Sequence, residues 1–154
     1  MCDVKTPYDP GTFRPQDSVG RLIGLVRKAI LEKTAAQLAP LEISAAQWIV
    51  ILLLAEQPSI TPAELCRKMD YDPGAMTRLI DRLEHKGFVR RVPLADDRRS
   101  VGLELMPEGR ALYPAIVQAL ASVHNQMLRG FGRAELQGLE GYLRRILANV
   151  GANA

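Results

Sequence analysis

Cysteine is scarce in this sequence. Only Cys2 and Cys66 occur among 154 residues, and they form no C-x-x-C pair. A disulfide framework and a thiolate zinc site are therefore not expected. Histidine is as scarce, with His85 and His124 alone. There is no Gly-rich phosphate loop, no metal-ligand cluster and no nucleophile elbow, which speaks against an enzyme, a metal or a cofactor. Aromatics make up 5%, with the single Trp48. The longest uncharged apolar run, residues 45–55, is far short of the ~20 residues that span a bilayer. The opening Met1-Cys-Asp-Val-Lys-Thr-Pro stretch has no apolar core of a secretory leader. The expectation is a cytoplasmic protein with no membrane partner.

What is present is helix-forming. Hydrophobic residues account for 47%, led by Leu and Ala. Such a chain buries a core without staples, as one domain of ordinary size. Net charge is +3, mildly basic, which permits an anionic partner without demanding one.

Local signals divide the chain. Residues 1–16, with Pro7, Pro10, Gly11 and Pro15, read as a flexible arm. Asp17 or Ser18 can cap a first helix with Val19, Leu22, Ile23, Val26 and Ile30 on one face, ending before Pro40. Ser44 and Gln47 form a capping box before Trp48-Ile-Val-Ile-Leu-Leu-Leu-Ala, which is apolar all round and so predicts a central buried helix. Thr61, Pro62 and Glu64 open a short third helix; Asp72 and Pro73 open a fourth, with Met76, Leu79, Ile80 and Leu83 inward and Gly87 at its end. The period then changes. Phe88-Val-Arg-Arg-Val and Val101-Gly-Leu-Glu-Leu predict a β-hairpin with a charged tip. Pro107 starts a long fifth helix, and after Gly130-Phe-Gly132 comes a sixth with Leu136, Leu139, Leu143, Ile146 and Leu147 on one face. The fold class is mainly α: a winged helix-turn-helix at 41–106, flanked by helices at 17–40 and 107–150. The apolar stripes of those flanking helices need a cover, and a second copy of the chain supplies one.

The run Met76-Thr-Arg-Leu-Ile-Asp-Arg-Leu-Glu-His-Lys-Gly-Phe-Val-Arg-Arg, followed by Asp96-Asp-Arg-Arg-Ser-Val-Gly-Leu-Glu-Leu-Met-Pro-Glu-Gly, resembles the MarR family of bacterial multiple-antibiotic-resistance regulators. The match is strongest over 61–109. Met106-Pro107 departs from the family's usual Leu-Thr, a difference confined to a helix cap. The resemblance implies a triangular homodimer with interlocked end helices, two winged heads on a pseudo-palindromic operator, and mostly repressors. It also implies release by small phenolic or carboxylate ligands or by oxidants.

The fourth helix carries Thr77, Arg78, Asp81, Arg82 and His85 on its outer face. A recognition helix uses its N-terminal residues on base edges. Gly74 and Ala75 are small enough for close approach, Thr77 and Arg78 are placed for bases or phosphates, and Arg82 for phosphate. Arg is suited to bidentate contact with guanine. A solvated face with an Asp81–His85 pair is the plainer alternative. Thr61 and the start of the third helix could meet a phosphate, though its capping role alone explains it. Arg90 and Arg91 flank the DNA backbone. At the tip stand Asp97, Arg98 and Arg99; a narrow minor groove attracts inserted Arg, and the resemblance makes Arg99 that residue with Asp97 orienting it. Residues 61–106 hold nine Lys/Arg against eight Asp/Glu, so affinity depends on where the charges sit.

For an effector, Arg21, Trp48, Tyr113 and His124 are the candidates, with Arg21 as a carboxylate partner. The partners expected are double-stranded DNA, a second copy, and a small aromatic or carboxylate ligand. The alternatives are a winged-helix protein-interaction module that reads no DNA, and a thiol-based redox regulator. Against the latter, no Cys lies near the start of the first helix, and neither thiol has an activating neighbour in sequence.

Overall fold

The computed structural model describes residues 6–94 and 100–151. Six helices and one hairpin follow the order read from the sequence: α1 (Val19–Leu38), α2 (Ala45–Glu56), α3 (Pro62–Met69), α4 (Pro73–His85), β1 (Val89–Pro93), β2 (Val101–Leu105), α5 (Pro107–Met127) and α6 (Arg133–Asn149). Between Ser18 and Asp72 each helix start has a side-chain reason. The Ser18 hydroxyl accepts from the Arg21 N–H, and Asp72 Oδ1 accepts from the Ala75 N–H at 2.8 Å. The capping boxes Ser44/Gln47 and Thr61/Glu64 are both formed, each satisfying two otherwise orphaned N–H groups. α5 begins at Pro107 with no side-chain cap from Met106.

The arm is irregular in path but makes defined contacts over its described residues. Tyr8 packs edge-on against Phe13, centroids 5.0 Å apart, and its hydroxyl accepts from the Val19 N–H at 3.0 Å. A short 3₁₀ turn, Pro15–Asp17, leads into α1.

α2 runs through the centre. Val50, Ile51 and Leu54 are fully buried and meet Leu65 of α3, Met76, Leu79, Ile80 and Leu83 of α4, and Ile116 of α5 in one core. The apolar stripe of α4 thus fixes which face of that helix points out. The α3–α4 turn is tight because Asp70 adopts a left-handed conformation (φ 48°) and the Tyr71 N–H returns to the Cys66 carbonyl.

β1 and β2 pair antiparallel, Val89 with Leu105 through Pro93 with Val101. The hairpin is tied to the helix-turn-helix: the Leu103 N–H donates to the Ile60 carbonyl and the Ser59 N–H to the Leu103 carbonyl. Gly87 turns the chain from α4 into β1 at φ +71°, a conformation costly for any residue with a Cβ. Gly109 serves differently. A Cβ there would meet the Phe88 carbonyl oxygen, so the first turn of α5 lies directly on the strand entry.

The two ends of the chain contrast with this core. Val19, Leu22, Ile23 and Val26 of α1 are exposed, Leu22 at 56%, and α6 buries none of its residues. Between α1 and α6 runs an open groove of about 580 Å³, lined by side chains such as Leu22, Ile23, Val26, Leu139, Tyr142 and Ile146. No single described helix is long and apolar enough to cross a membrane.

Candidate nucleic-acid interface

The inward stripe of α4 leaves Gly74, Thr77, Arg78, Asp81, Arg82 and His85 exposed, with Ala75 half-buried. Arg78 and Arg82 sit one turn apart and have no acid partner among the described residues. A terminal guanidinium nitrogen of Arg78 lies 3.7 Å from where a Cβ on Gly74 would stand, so Arg78 folds back along the helix N-terminus over the glycine. That same Cβ would sit 3.2 Å from the capping Asp72 carboxylate, tighter than most such contacts. Thr77 donates its hydroxyl to the Pro73 carbonyl at 3.0 Å and keeps its lone pairs free to accept.

The acids near this face are occupied elsewhere. Asp81 does not pair with His85; it pairs with Arg91 of β1 at 2.8 Å, and Glu84 pairs with the same guanidinium. The Arg91 N–H also donates to Glu84 at 3.0 Å. Arg90 reaches Glu104 across the hairpin with two N–H groups, at 2.8 and 3.2 Å. Arg90 and Arg91 are thus both ion-paired within the head. Sequence reasoning missed their partners, because Asp81, Glu84 and Glu104 lie seven to fourteen positions away. The available signal was two acids at i, i+3 on a helix that leads straight into a strand with adjacent arginines.

Thr61 is half-buried and its hydroxyl is committed to Glu64: it donates to Glu64 Oε2 at 2.8 Å and accepts from the Glu64 N–H. The hydrogen bonds from Thr61 hold the Glu64 carboxyl below its usual value of 4.5. Among the remaining cations, Lys86 donates to the Glu42 carbonyl at 2.5 Å and lies over the Phe88 ring. Arg67 and Lys68 of α3 have no ion-pair partner among the described residues. Among the described residues, a head with nearly balanced charge therefore keeps its free cations on α3 and the outer face of α4. Asp97, Arg98 and Arg99 lie outside the described residues.

The four effector candidates do not converge. Trp48 is buried in the core with its indole N–H unpartnered. Arg21 is exposed near the start of α1, and His124 is exposed on α5 with Nδ1 2.7 Å from the Leu120 carbonyl. Tyr113 lines a cleft of about 260 Å³ with Ala55, Leu105 and Arg110, where α2, β2 and α5 meet. Helical spacing gives a face for each of the four residues but not which faces meet. Cys66 is half-buried and packs against the core. Among the described residues no cluster of His, Cys, Asp or Glu could hold a metal ion.

The MarR family model matches residues 43–101, the stretch from the start of α2 to the start of β2. The multiple antibiotic resistance protein MarR of Escherichia coli is 34% identical over 130 residues, covering 84% of this chain and 90% of the relative. The regulator PecS of Dickeya dadantii is 32% identical over 57% of this chain and 53% of its own length. Among solved structures, wild-type apo MarR from Escherichia coli superposes with a TM-score of 0.75 at 34% identity, covering 84% of this chain and 97% of that one. A mutant MarR complexed with operator DNA gives 0.73 at 34% identity, covering 83% and 92%. The transcriptional regulator SlyA gives 0.77 at 25%, covering 86% and 94%. With the capped helix pair, the hairpin and the open end helices in place, these matches make the chain a member of the MarR family of winged-helix transcriptional regulators.

Proposed function

We propose that this regulator binds double-stranded DNA as a homodimer in the cytoplasm. Residues 41–106 form each reading head and the helices of 17–40 and 107–150 the dimer interface. The observation that carries the reading is the outer face of α4. Arg78 and Arg82 stand free on it, while the neighbouring Asp81 and Glu84 are held by Arg91. Gly74, Ala75, Thr77 and Arg78 then meet base edges or the nearest phosphates, and Arg82 with Thr61 at the start of α3 lies toward the backbone. Arg90 is a weaker contact, since Glu104 already holds it. Asp97, Arg98 and Arg99 belong to the wing's share of the interface. The relative solved with operator DNA supports the same use of the fold.

Dimerisation is supported by the apolar groove between α1 and α6, which the chain leaves uncovered. Two heads related by a two-fold axis bind a pseudo-palindromic operator, and occupancy represses the adjoining gene. Release by a small aromatic or carboxylate effector completes the reading. Tyr113 and Arg110, in the cleft between head and helical body, offer an aromatic ring and a guanidinium for it.

The test is fluorescence anisotropy at low salt with a duplex of the promoter beside the gene. Arg78→Ala is expected to weaken sequence-specific binding by ~1–3 kcal/mol per head while sedimentation still shows a dimer. Absence of any duplex binding by the unmutated protein would leave a protein-interaction module as the better description.

A further inference from the structure

We propose that Arg91 is a positioning residue: it locks the β1–β2 hairpin at a set angle to α4, and this lock sets how well the head discriminates one duplex from another. The proposal rests on the DNA reading above. Its own basis is the three-point attachment of one strand residue to two acids on α4. The Arg91 N–H donates to Glu84 Oε1 at 3.0 Å, its guanidinium reaches Glu84 Oε2, and the same guanidinium donates to Asp81 Oδ1 at 2.8 Å. Main chain and side chain are thus both fixed, which a single ion pair does not achieve.

The attachment lies beyond the corner between α4 and β1. The chain turns from α4 into β1 through Lys86, Gly87 and Phe88, with Gly87 at positive φ. Glycine leaves that corner permissive. Arg91 restrains it from further along the strand. Cross-strand pairing and the Arg90–Glu104 ion pair join β1 to β2, so the hairpin follows β1 as one piece. The outer face of α4 and the paired strands Val89–Pro93 and Val101–Leu105 are thereby held in fixed relation. Recognition from two elements at once depends on such relation, because each contact must form without straining the other.

Arg91 does not owe its place to free positive charge. It faces two carboxylates, both on α4, and its half-exposed guanidinium is committed to them. This separates the lock from plain phosphate attraction. Removing the two acids makes the head more basic, which strengthens general attraction to DNA. The lock predicts the opposite for the preferred sequence.

The experiment compares the unmutated protein with Arg91→Lys, with Arg91→Ala and with the double variant Asp81→Asn, Glu84→Gln. Two probes are used: the duplex that the unmutated protein selects from a randomised pool, and a scrambled duplex of equal composition. Arg91→Lys keeps the charge but cannot bridge both acids. It is expected to lose at least tenfold in affinity for the selected duplex, with an unchanged salt slope. The double variant is expected to bind the scrambled duplex more tightly and the selected one less tightly, so that the ratio collapses at least tenfold. Unchanged ratios in both overturn the proposal, as does a salt slope lowered by about one unit in Arg91→Ala, which would make Arg91 a phosphate contact. A second arm needs no DNA. Amide exchange over residues 89–92 is expected to quicken several-fold in Arg91→Lys, and unchanged exchange overturns the lock whatever the DNA result. Failure of the unmutated protein to select any duplex removes the discrimination claim together with the DNA reading, while the exchange arm separately reports whether Arg91 holds the hairpin.

Discussion

Within the head, the large apolar side chains face each other: Leu65, Met76, Leu79, Ile80, Leu83 and Leu103 are essentially sealed from solvent. In the end helices the comparable side chains stand open, Leu22 at 56% and Tyr142 at 63%. The polar groups differ in the same sense. In the head the carboxylates at 64, 72, 81, 84 and 104 all have partners. Along α1 and α6 the ion pairs are the solvated i, i+4 pairs Lys28–Glu32 and Arg144–Glu140, of the kind worth little. The head is a finished core with a free cationic face. The end helices are half a core, with a contiguous apolar face left open between α1 and α6.

This contrast can be broken or sharpened by substitution. The largest expected effect on stability belongs to the head. Leu65→Ala removes a fully buried side chain and should cost ~2–5 kcal/mol in denaturant unfolding. The end helices behave differently: Leu22→Asp together with Leu143→Asp should convert the dimer to monomer in sedimentation, and should make the unfolding midpoint insensitive to protein concentration. Next in size is the DNA contact. Arg78→Ala should weaken operator binding by ~1–3 kcal/mol per head in anisotropy, with little change in melting temperature. Then come the caps. Thr61→Ala breaks the capping box of α3 and should cost ~0.5–2 kcal/mol by thermal unfolding.

The smallest effect is a pH dependence. Glu64 is held below 4.5 in the folded chain, chiefly by hydrogen bonds from Thr61. A lowered carboxyl pKa means that the unfolded chain binds more protons in this range. Its stabilisation is therefore complete above pH 4.5 and is lost as pH falls from there through the folded value. Melting temperature against pH should show a slightly shallower acid decline in Glu64→Gln than in the unmutated protein.

Much of the head was legible in sequence because its signals are local. Ser44/Gln47, Thr61/Glu64, Asp72-Pro73 and Gly87 each act within four residues, so spacing alone predicts the caps and stops, and the α4 stripe predicts which face is exposed. What was not legible depends on elements meeting. The spacing of Asp81 and His85 suggested an i, i+4 pair, yet the partner is Arg91 of the next strand, whose guanidinium bridges Asp81 and Glu84 with one nitrogen on each. Arg90 and Arg91 look alike in sequence and end on different acids, one across the hairpin and one back on α4. Arg21, Trp48, Tyr113 and His124 were grouped by helix position, but only the packing of α1, α2 and α5 decides which of them share a cavity. The contact of Tyr8 with the start of α1 spans eleven positions of an irregular arm, where no period exists to read.

The most direct measurement is selection from a pool of randomised duplexes, followed by sequencing. A dimer with two recognition helices predicts an enriched two-fold-symmetric sequence, with half-sites ~10 base pairs apart centre to centre or a multiple of that. Enrichment of a single unsymmetric half-site would contradict the dimeric reading of the end helices. No enrichment over the starting pool would contradict the reading of α4 as a sequence-specific DNA contact.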